Sequence, residues 1–507
     1  MMKLGTRSGP VPRYFCWPLA AGLLFALWSL AVLPLLGLEI GGPFDRIPGG
    51  LTWPSVFIGV FVCGWLSWWV LMPGWRRVSL LAGALAGVLA GSVSFPVMFG
   101  LAELANYFWS TPQAFEAGAL GRIVWVTGLT FMTIGFPFAM TMAFAGLVAA
   151  RALLAISPAQ KTPGNASTNG STRRWSRALA LGTALVLAIV LTVPFVLLSM
   201  RPVSVDGLRE RPSPTMPAQT HEQAVAAFAA LRLAEADTIL HQRCPSQLLS
   251  HGHKTEVAVI FFHGLTSCPA QGEEFGRSVF DLGYNVYLPR MFGHGEADPD
   301  TLALADLTAE HLVDLANSAT DLAQGLGDDV IVVGLSAGGT IAVWLAQHRS
   351  DIDHAIPVSP FLGPHVVPPW ATRSATNLVL GSPNMMFWVN PLAPVTAPDT
   401  EYAFPRPSTH TLAQVMRLGQ AVMTDAAHDP PAVRNISILL NDADVAVNNR
   451  LTEQLVDLWR AHDHLVVVRA LAFSNHLPHD LINPQEIFGD TDLVYSLLAG
   501  MIRGEES

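Results

Sequence analysis

The run Gly334-Leu335-Ser336-Ala337-Gly338-Gly339 holds a serine between glycines, after the apolar stretch Val330–Val333 and before the helix-forming stretch Thr340–Gln347. In a strand–turn–helix context this spacing builds a sharp elbow. Gly334 and Gly338 let the backbone turn, and the serine hydroxyl projects above the sheet. The helix that follows aims its partly positive N-terminus at the same point, which favours negative charge developing there. A serine hydroxyl is a weak nucleophile until a base removes its proton, so this chemistry also needs a histidine and an acid to orient it. Both occur downstream in that order. The stretch Ile436–Leu440 runs into Asn441-Asp442-Ala443-Asp444, and Leu465–Val468 is followed by Ser474-Asn475-His476-Leu477-Pro478-His479-Asp480. Upstream, Val257–Phe262 ends in His263-Gly264-Leu265. The backbone N–H groups of Leu265 and Ala337 are the expected oxyanion donors. His263 is expected to brace its loop rather than transfer protons.

These residues need a scaffold that brings strand ends together. From about residue 221 the chain alternates short apolar runs with amphipathic ones. The pattern predicts strands at Val257–Phe262, Asn285–Leu288, Val330–Val333, Ile352–Val358, Ile436–Leu440 and Leu465–Val468. It predicts helices at Glu222–Leu240, Ala303–Leu326, Leu451–Trp459 and Asp490–Met501. Such alternation argues for a mostly parallel sheet with helices on both faces. In sheets of this kind sites form at the carboxyl ends of the strands.

The pieces FFHGLTS (261–267), PRMFGHGE (289–296), GLSAGG (334–339), NDADVAV (441–447) and SNHLPHD (474–480) resemble the α/β-hydrolase superfamily, particularly its carboxylesterase and monoacylglycerol-lipase-like branch. The resemblance runs from about residue 225 to the end. It implies an α/β-hydrolase domain and an acyl-enzyme mechanism on a small-molecule ester or lipid substrate, with no cofactor and no metal. The acid loop of such enzymes commonly reads G-x-x-D-x-x-V. Asn441 stands here for that glycine, which makes Asp444 the matching acid and Asp442 a near neighbour. The S-x-H pattern points to His476 rather than His479 as the base. The resemblance also implies a cap insertion over about 359–434, holding Pro368, Pro369, Trp370, Met385, Met386, Phe387 and Trp388. These side chains would line an apolar pocket or form the cap's own core. The close pairs His251/His253 and His462/His464 read as solvated loop histidines.

The first 200 residues are of another kind. Hydrophobic residues make up 51% of the chain and charged ones only 13%, half the usual share. Residues 1–201 carry 13 Lys/Arg against 4 Asp/Glu, whereas the remainder carries 16 against 35. Five stretches approach the roughly 20 apolar residues of a membrane crossing: Tyr14–Leu36, Val56–Met72, Leu80–Gly100, Ile123–Ala149 and Ala178–Leu198. An N-terminal α-helical transmembrane bundle is therefore expected, joined through a Pro-rich linker at 201–220 to the second domain. Lys3, Arg7, Arg13, Arg76, Arg77 and the group Arg151–Arg177 fall in alternate loops. By the positive-inside rule, five crossings then place the second domain outside the cytoplasm. In that compartment Cys244 and Cys268 would form a disulfide; inside, they would remain thiols. The expected partner is the lipid bilayer, and an acidic second domain excludes nucleic acid. Two further classes stay open: a peptidase or acyltransferase with the same triad, and a receptor or transport component whose second domain only binds.

Overall fold

The computed structural model describes residues 16–35, 40–41, 51–71, 83–91, 93–94, 97–98, 142, 201, 203–209, 211, 213–298, 301–386, 406–486 and 488–505. The chain divides into two compact units, Met1–Leu198 and Ser199–Ser507.

In the first unit, helices α1 (Cys16–Leu35) and α2 (Trp53–Leu71) contain no charged residue. The short parallel strands β1 (Ile40–Gly41) and β2 (Leu51–Thr52) pair with each other between them. The two helices pack closely through glycine. A Cβ at Gly22 would lie 2.7 Å from Phe61 O, and one at Gly64 would lie 2.6 Å from the Phe25 ring. A further helical stretch at 83–91 buries Gly83, Gly87 and Gly91 and exposes Leu85 and Leu89. The described side chains of α1 and α2 are those of 21–30 and 55–67. Among the described residues no helix is long and apolar enough to cross a membrane. Most of the fourth expected span and all of the fifth lie outside the described residues.

The second unit is built on a seven-stranded sheet of β3 (Gln247–Leu249), β4 (Thr255–Phe262), β5 (Asn285–Leu288), β6 (Gly327–Leu335), β7 (His354–Val358), β8 (Asn435–Asn441) and β9 (Val466–Leu471). Their spatial order is β3-β5-β4-β6-β7-β8-β9. All neighbours are parallel except β3, which pairs antiparallel with β5 at the edge. Alternate residues explain the near-continuous apolar runs. Val257, Val259, Phe261, Ile331, Val333, Leu335, Ile356 and Val358 share one core with Phe275 and Val279 of α4 (Glu273–Phe280) and Leu498 and Ile502 of α10 (Thr491–Ile502). The intervening Ala258, Ile260, Phe262, Val330 and Val332 are buried as well. Helices α5 (Ala309–Ala323) and α6 (Ala337–His348) also pack on the sheet. A sheet buried on both faces has no polar face, so its strands lose the usual alternation.

The remaining helices are α3 (His221–Glu235), α7 (Pro369–Leu380), α8 (Thr409–Ala426) and α9 (Asn449–Arg460). Helices α7 and α8 occupy the predicted cap region, while Phe387 and Trp388 lie outside the described residues. Three differences from the sequence reading have physical causes. The single helix expected over Ala303–Leu326 is a 3-10 turn followed by α5, separated where the Thr308 side chain caps the new helix. Strand β3 is too short to show a period, and α4 spans barely two turns. The linker expected at 201–220 is instead docked on the second unit. Leu208 is fully buried, Arg211 pairs with Asp314 (Nη2–Oδ2 2.6 Å), and Asp321 accepts from Thr215 Oγ1 (2.9 Å).

Candidate active site

The chain passes from β4 to β5 on one side and later returns to β6 on the other. The crevice between the carboxyl ends of β4 and β6 is therefore a topological switch point, where α/β sheets form their sites. Ser336 sits there at φ 57°, ψ −113°, a conformation L-residues rarely adopt. Glycine makes the elbow fit. A Cβ at Gly334 would lie 2.2 Å from Gly338 O, and one at Gly338 would lie 2.0 Å from Phe262 O. Ser336 N–H donates to Val358 O (3.0 Å), and Ser336 O accepts from Phe361 N–H (3.0 Å). The strained residue is thus clamped by the strand next door. Its hydroxyl makes no hydrogen bond among the described residues. Unliganded hydrolytic sites often show such loose geometry.

The loop after β4 lies against this serine. A Cβ at Gly264 would lie 3.9 Å from Ser336 Cβ. Among the described residues neither Leu265 N–H nor Ala337 N–H donates to a protein acceptor. His263 is fully buried; its Nδ1–H donates to Gly264 O (2.8 Å) and its Nε2 accepts from Met291 N–H (3.2 Å). Burial, with His294 beside it, drives its pKa well below the ordinary imidazole value, so the ring is a neutral brace. His294 reaches Phe292 O (2.9 Å) and Leu265 O. Burial lowers its pKa to about 4, so its single N–H serves one of the two carbonyls.

Asp444 is buried at the end of β8. Its Oδ1 accepts from Ala446 N–H (2.8 Å) and Val447 N–H (3.1 Å). Its Oδ2 accepts from Nδ1 of His479 at 2.6 Å. Burial alone would raise this carboxyl's pKa. The charge and hydrogen bond of His479, with the two backbone donors, outweigh it and hold the carboxyl below its ordinary value. Asp442 is exposed. Burial lowers the His479 pKa, but the negative charge and hydrogen bond of Asp444, then Asp480 and Glu486, win and raise it.

The structure thus brings His479, not the expected His476, to the Asp444 carboxylate. His476 is exposed, in the left-handed region at φ 50°, and closes the 3-10 turn Phe473–Asn475 with its ring 5.5 Å from that of Phe473. Its ring meets no carboxylate among the described residues. The turn points one imidazole to solvent, and the bend at Leu477-Pro478 carries the other to Asp444. A three-residue offset on an irregular loop leaves no sequence signal for that choice. Asn441, which replaces the glycine of the resembled motif, is part of the same support. Its amide donates to Leu477 O (3.0 Å) and Pro478 O (2.9 Å), the two carbonyls before His479.

Cys244 and Cys268 are joined in a buried disulfide. The bond ties the segment before β3 to the loop that carries Leu265. Cys244 packs so tightly that a Cβ at Gly295 would lie 2.7 Å from its own Cβ. With 24 residues of sequence separation, closing this loop in the unfolded chain is worth roughly 3 kcal/mol. Replacing both cysteines by serine is expected to lower the thermal midpoint by several degrees in calorimetry of the oxidised protein. A midpoint unmoved by the substitution would remove the stabilising role.

The mixed α/β sheet of the second unit, covered by helices, fits an α/β-hydrolase domain. Residues 253–483 match the family described as serine aminopeptidase, S33. A thermostable monoacylglycerol lipase of Bacillus sp. strain H-257 is 30% identical over 109 residues, 20% of this chain and 40% of the lipase. The chain thus spans less than half the length of that relative. Among solved structures, a chain described under LipS and LipT, two metagenome-derived lipolytic enzymes, shows 17% identity and a TM-score of 0.40, over 53% of this chain and 100% of that one. A monoacylglycerol lipase of Paleococcus ferrophilus shows 15% identity and a TM-score of 0.39, over 52% and 98%.

Proposed function

We propose that this protein is a membrane-anchored serine hydrolase that cleaves carboxylic esters with apolar or lipid-like acyl groups. Ser336 attacks the acyl carbonyl while His479 takes its proton, and Asp444 fixes the imidazole tautomer and stabilises its charged form. The N–H groups of Leu265 and Ala337 hold the oxyanion, and water then releases the acyl group. The observation that carries the reading is Ser336 strained at φ 57° on a glycine-flanked elbow. The pairing of buried Asp444 with half-buried His479 supports it. An apolar substrate is supported by the exposed Trp370 and Met385 of the cap region and the exposed Phe292 and Leu302. Fluorophosphonate labelling of the purified protein, with p-nitrophenyl esters of increasing acyl length, tests it. Labelling should occur and kcat/KM should rise with acyl length. Absence of labelling in folded protein would favour a domain that only binds.

A second reading, a peptidase with the same triad, draws on the description of the matched family. Faster turnover of aminoacyl anilides than of esters would favour it.

Membrane anchoring is supported by the first unit's helices, which contain no charged residue in α1 and α2 and leave Leu23, Leu27, Ile58, Leu66, Leu85 and Leu89 exposed. A water-facing helix surface would be polar. The extracytoplasmic placement of the hydrolase domain rests on the loop charges and is supported by the disulfide. Leu465→Cys, at a position 78% exposed, should react with an impermeant maleimide on intact cells. Reaction only after lysis would reverse the sidedness.

A further inference from the structure

The two loops that hold the reacting groups have no shared ladder. The Gly264–Leu265 loop follows β4 and the His479 loop follows β9, and β6, β7 and β8 lie between those strands in the sheet. A side chain joins them directly. Gln271 is 4% exposed, on the 3-10 turn Pro269–Gly272 immediately after the Cys268 half-cystine. Its Oε1 accepts from Gly264 N–H at 2.7 Å. Its Nε2 donates to Asp480 Oδ2 at 2.7 Å, across 209 residues of sequence. Asp480 in turn accepts from Ile482 N–H (3.3 Å) and Asn483 N–H (3.2 Å) through Oδ1. The amide's orientation is fixed by its partners, because Gly264 N–H can only donate and the carboxylate accepts. The Gln271 amide and Ser336 also share the space beside Gly264. A Cβ at Gly264 would be 3.6 Å from both amide heteroatoms and 3.9 Å from Ser336 Cβ.

Resting on the serine-hydrolase reading, we propose that Gln271 is a positioning residue that locks the oxyanion loop to the histidine loop. Leu265 N–H follows Gly264 by one residue, and Asp480 follows His479 by one. A slip of either loop changes the distance between oxyanion donor and base. Misplacement of this kind, about 1 Å, costs on the order of 100-fold in rate.

The test uses the full chain with p-nitrophenyl butyrate, with concentrations taken from fluorophosphonate active-site titration and folding checked by thermal melting. Gln271→Met keeps the length and removes both bonds. It should lower kcat about 10- to 100-fold with little change in KM. Gln271→Glu keeps the acceptor for Gly264 N–H but sets a carboxylate against Asp480, and should be at least as damaging. Gln271→Glu combined with Asp480→Asn rebuilds the bridge with its polarity reversed, since the introduced amide then donates to the introduced carboxylate. Recovery of kcat in this double variant beyond either single one is a result that lost packing alone would not give. Undiminished kcat in Gln271→Met, or a double variant that melts like wild type without recovery, would overturn the proposal. Wild-type protein that takes no fluorophosphonate would instead overturn the hydrolase reading beneath it.

Discussion

Ser336→Ala is expected to lower kcat for an activated ester by roughly 10⁴- to 10⁶-fold and to abolish fluorophosphonate labelling, while the melting temperature stays close to that of the parent. The size of the effect follows from the loss of the attacking atom. What remains is the oxyanion pair, Leu265 and Ala337, which in comparable sites retains a residual acceleration over water. The fold should tolerate the change because it does not use the hydroxyl. The clamp on this residue is backbone, through Ser336 N–H to Val358 O and Phe361 N–H to Ser336 O. Alanine at φ 57° is no more strained than serine. Labelling that persists in Ser336→Ala would move the nucleophile elsewhere.

The second large effect separates two histidines three residues apart. His479→Ala should lower kcat by roughly 10⁴-fold or more, whereas His476→Ala should leave kcat unchanged within error. The reason is the contact of half-buried His479, through Nδ1, with buried Asp444 Oδ2 at 2.6 Å, against an exposed His476 ring. Asp444→Asn should approach the His479→Ala effect, because an amide in that position holds the wrong imidazole tautomer. The exposed Asp442 can change to asparagine silently. The pH profile carries the same signature. The base must be neutral to accept the serine proton, and the charges of Asp444, Asp480 and Glu486 raise the His479 pKa. The acid limb of kcat/KM should therefore lie above the ordinary imidazole value and should move down in Asp444→Asn. A His476→Ala variant as inactive as His479→Ala would refute the assignment.

The two halves of this site were unequally legible. The elbow is a local structure, and its causes are local. Two glycines are needed where a Cβ would strike a carbonyl at 2.0–2.2 Å, and an apolar strand must come before. Asp444 could be singled out only through the resemblance, whose G-x-x-D-x-x-V motif it matches, because the same loop also offers Asp442. The proposed oxyanion donors are backbone groups, Ala337 on this turn and Leu265 on the loop after β4. Both faces of the sheet are buried, so the strands announced themselves as continuous apolar runs and their order along the chain set the class of fold.

The sequence by itself determined the α/β scaffold, the glycine-flanked turn at Ser336 and the division into an apolar first part and an acidic second. Only the tertiary structure decided which imidazole meets Asp444, because the direction of a side chain on an irregular loop is set by what the loop packs against. It also decided that residues 201–220 dock on the domain rather than hang between units, through partners such as Asp314 and Asp321 that lie about 100 residues away (separations of 103 and 106). The Gln271–Asp480 bridge belongs to the same class. A hydrogen bond between groups 209 residues apart has no period, motif or composition to betray it, and exists only once the sheet has brought its strand ends together.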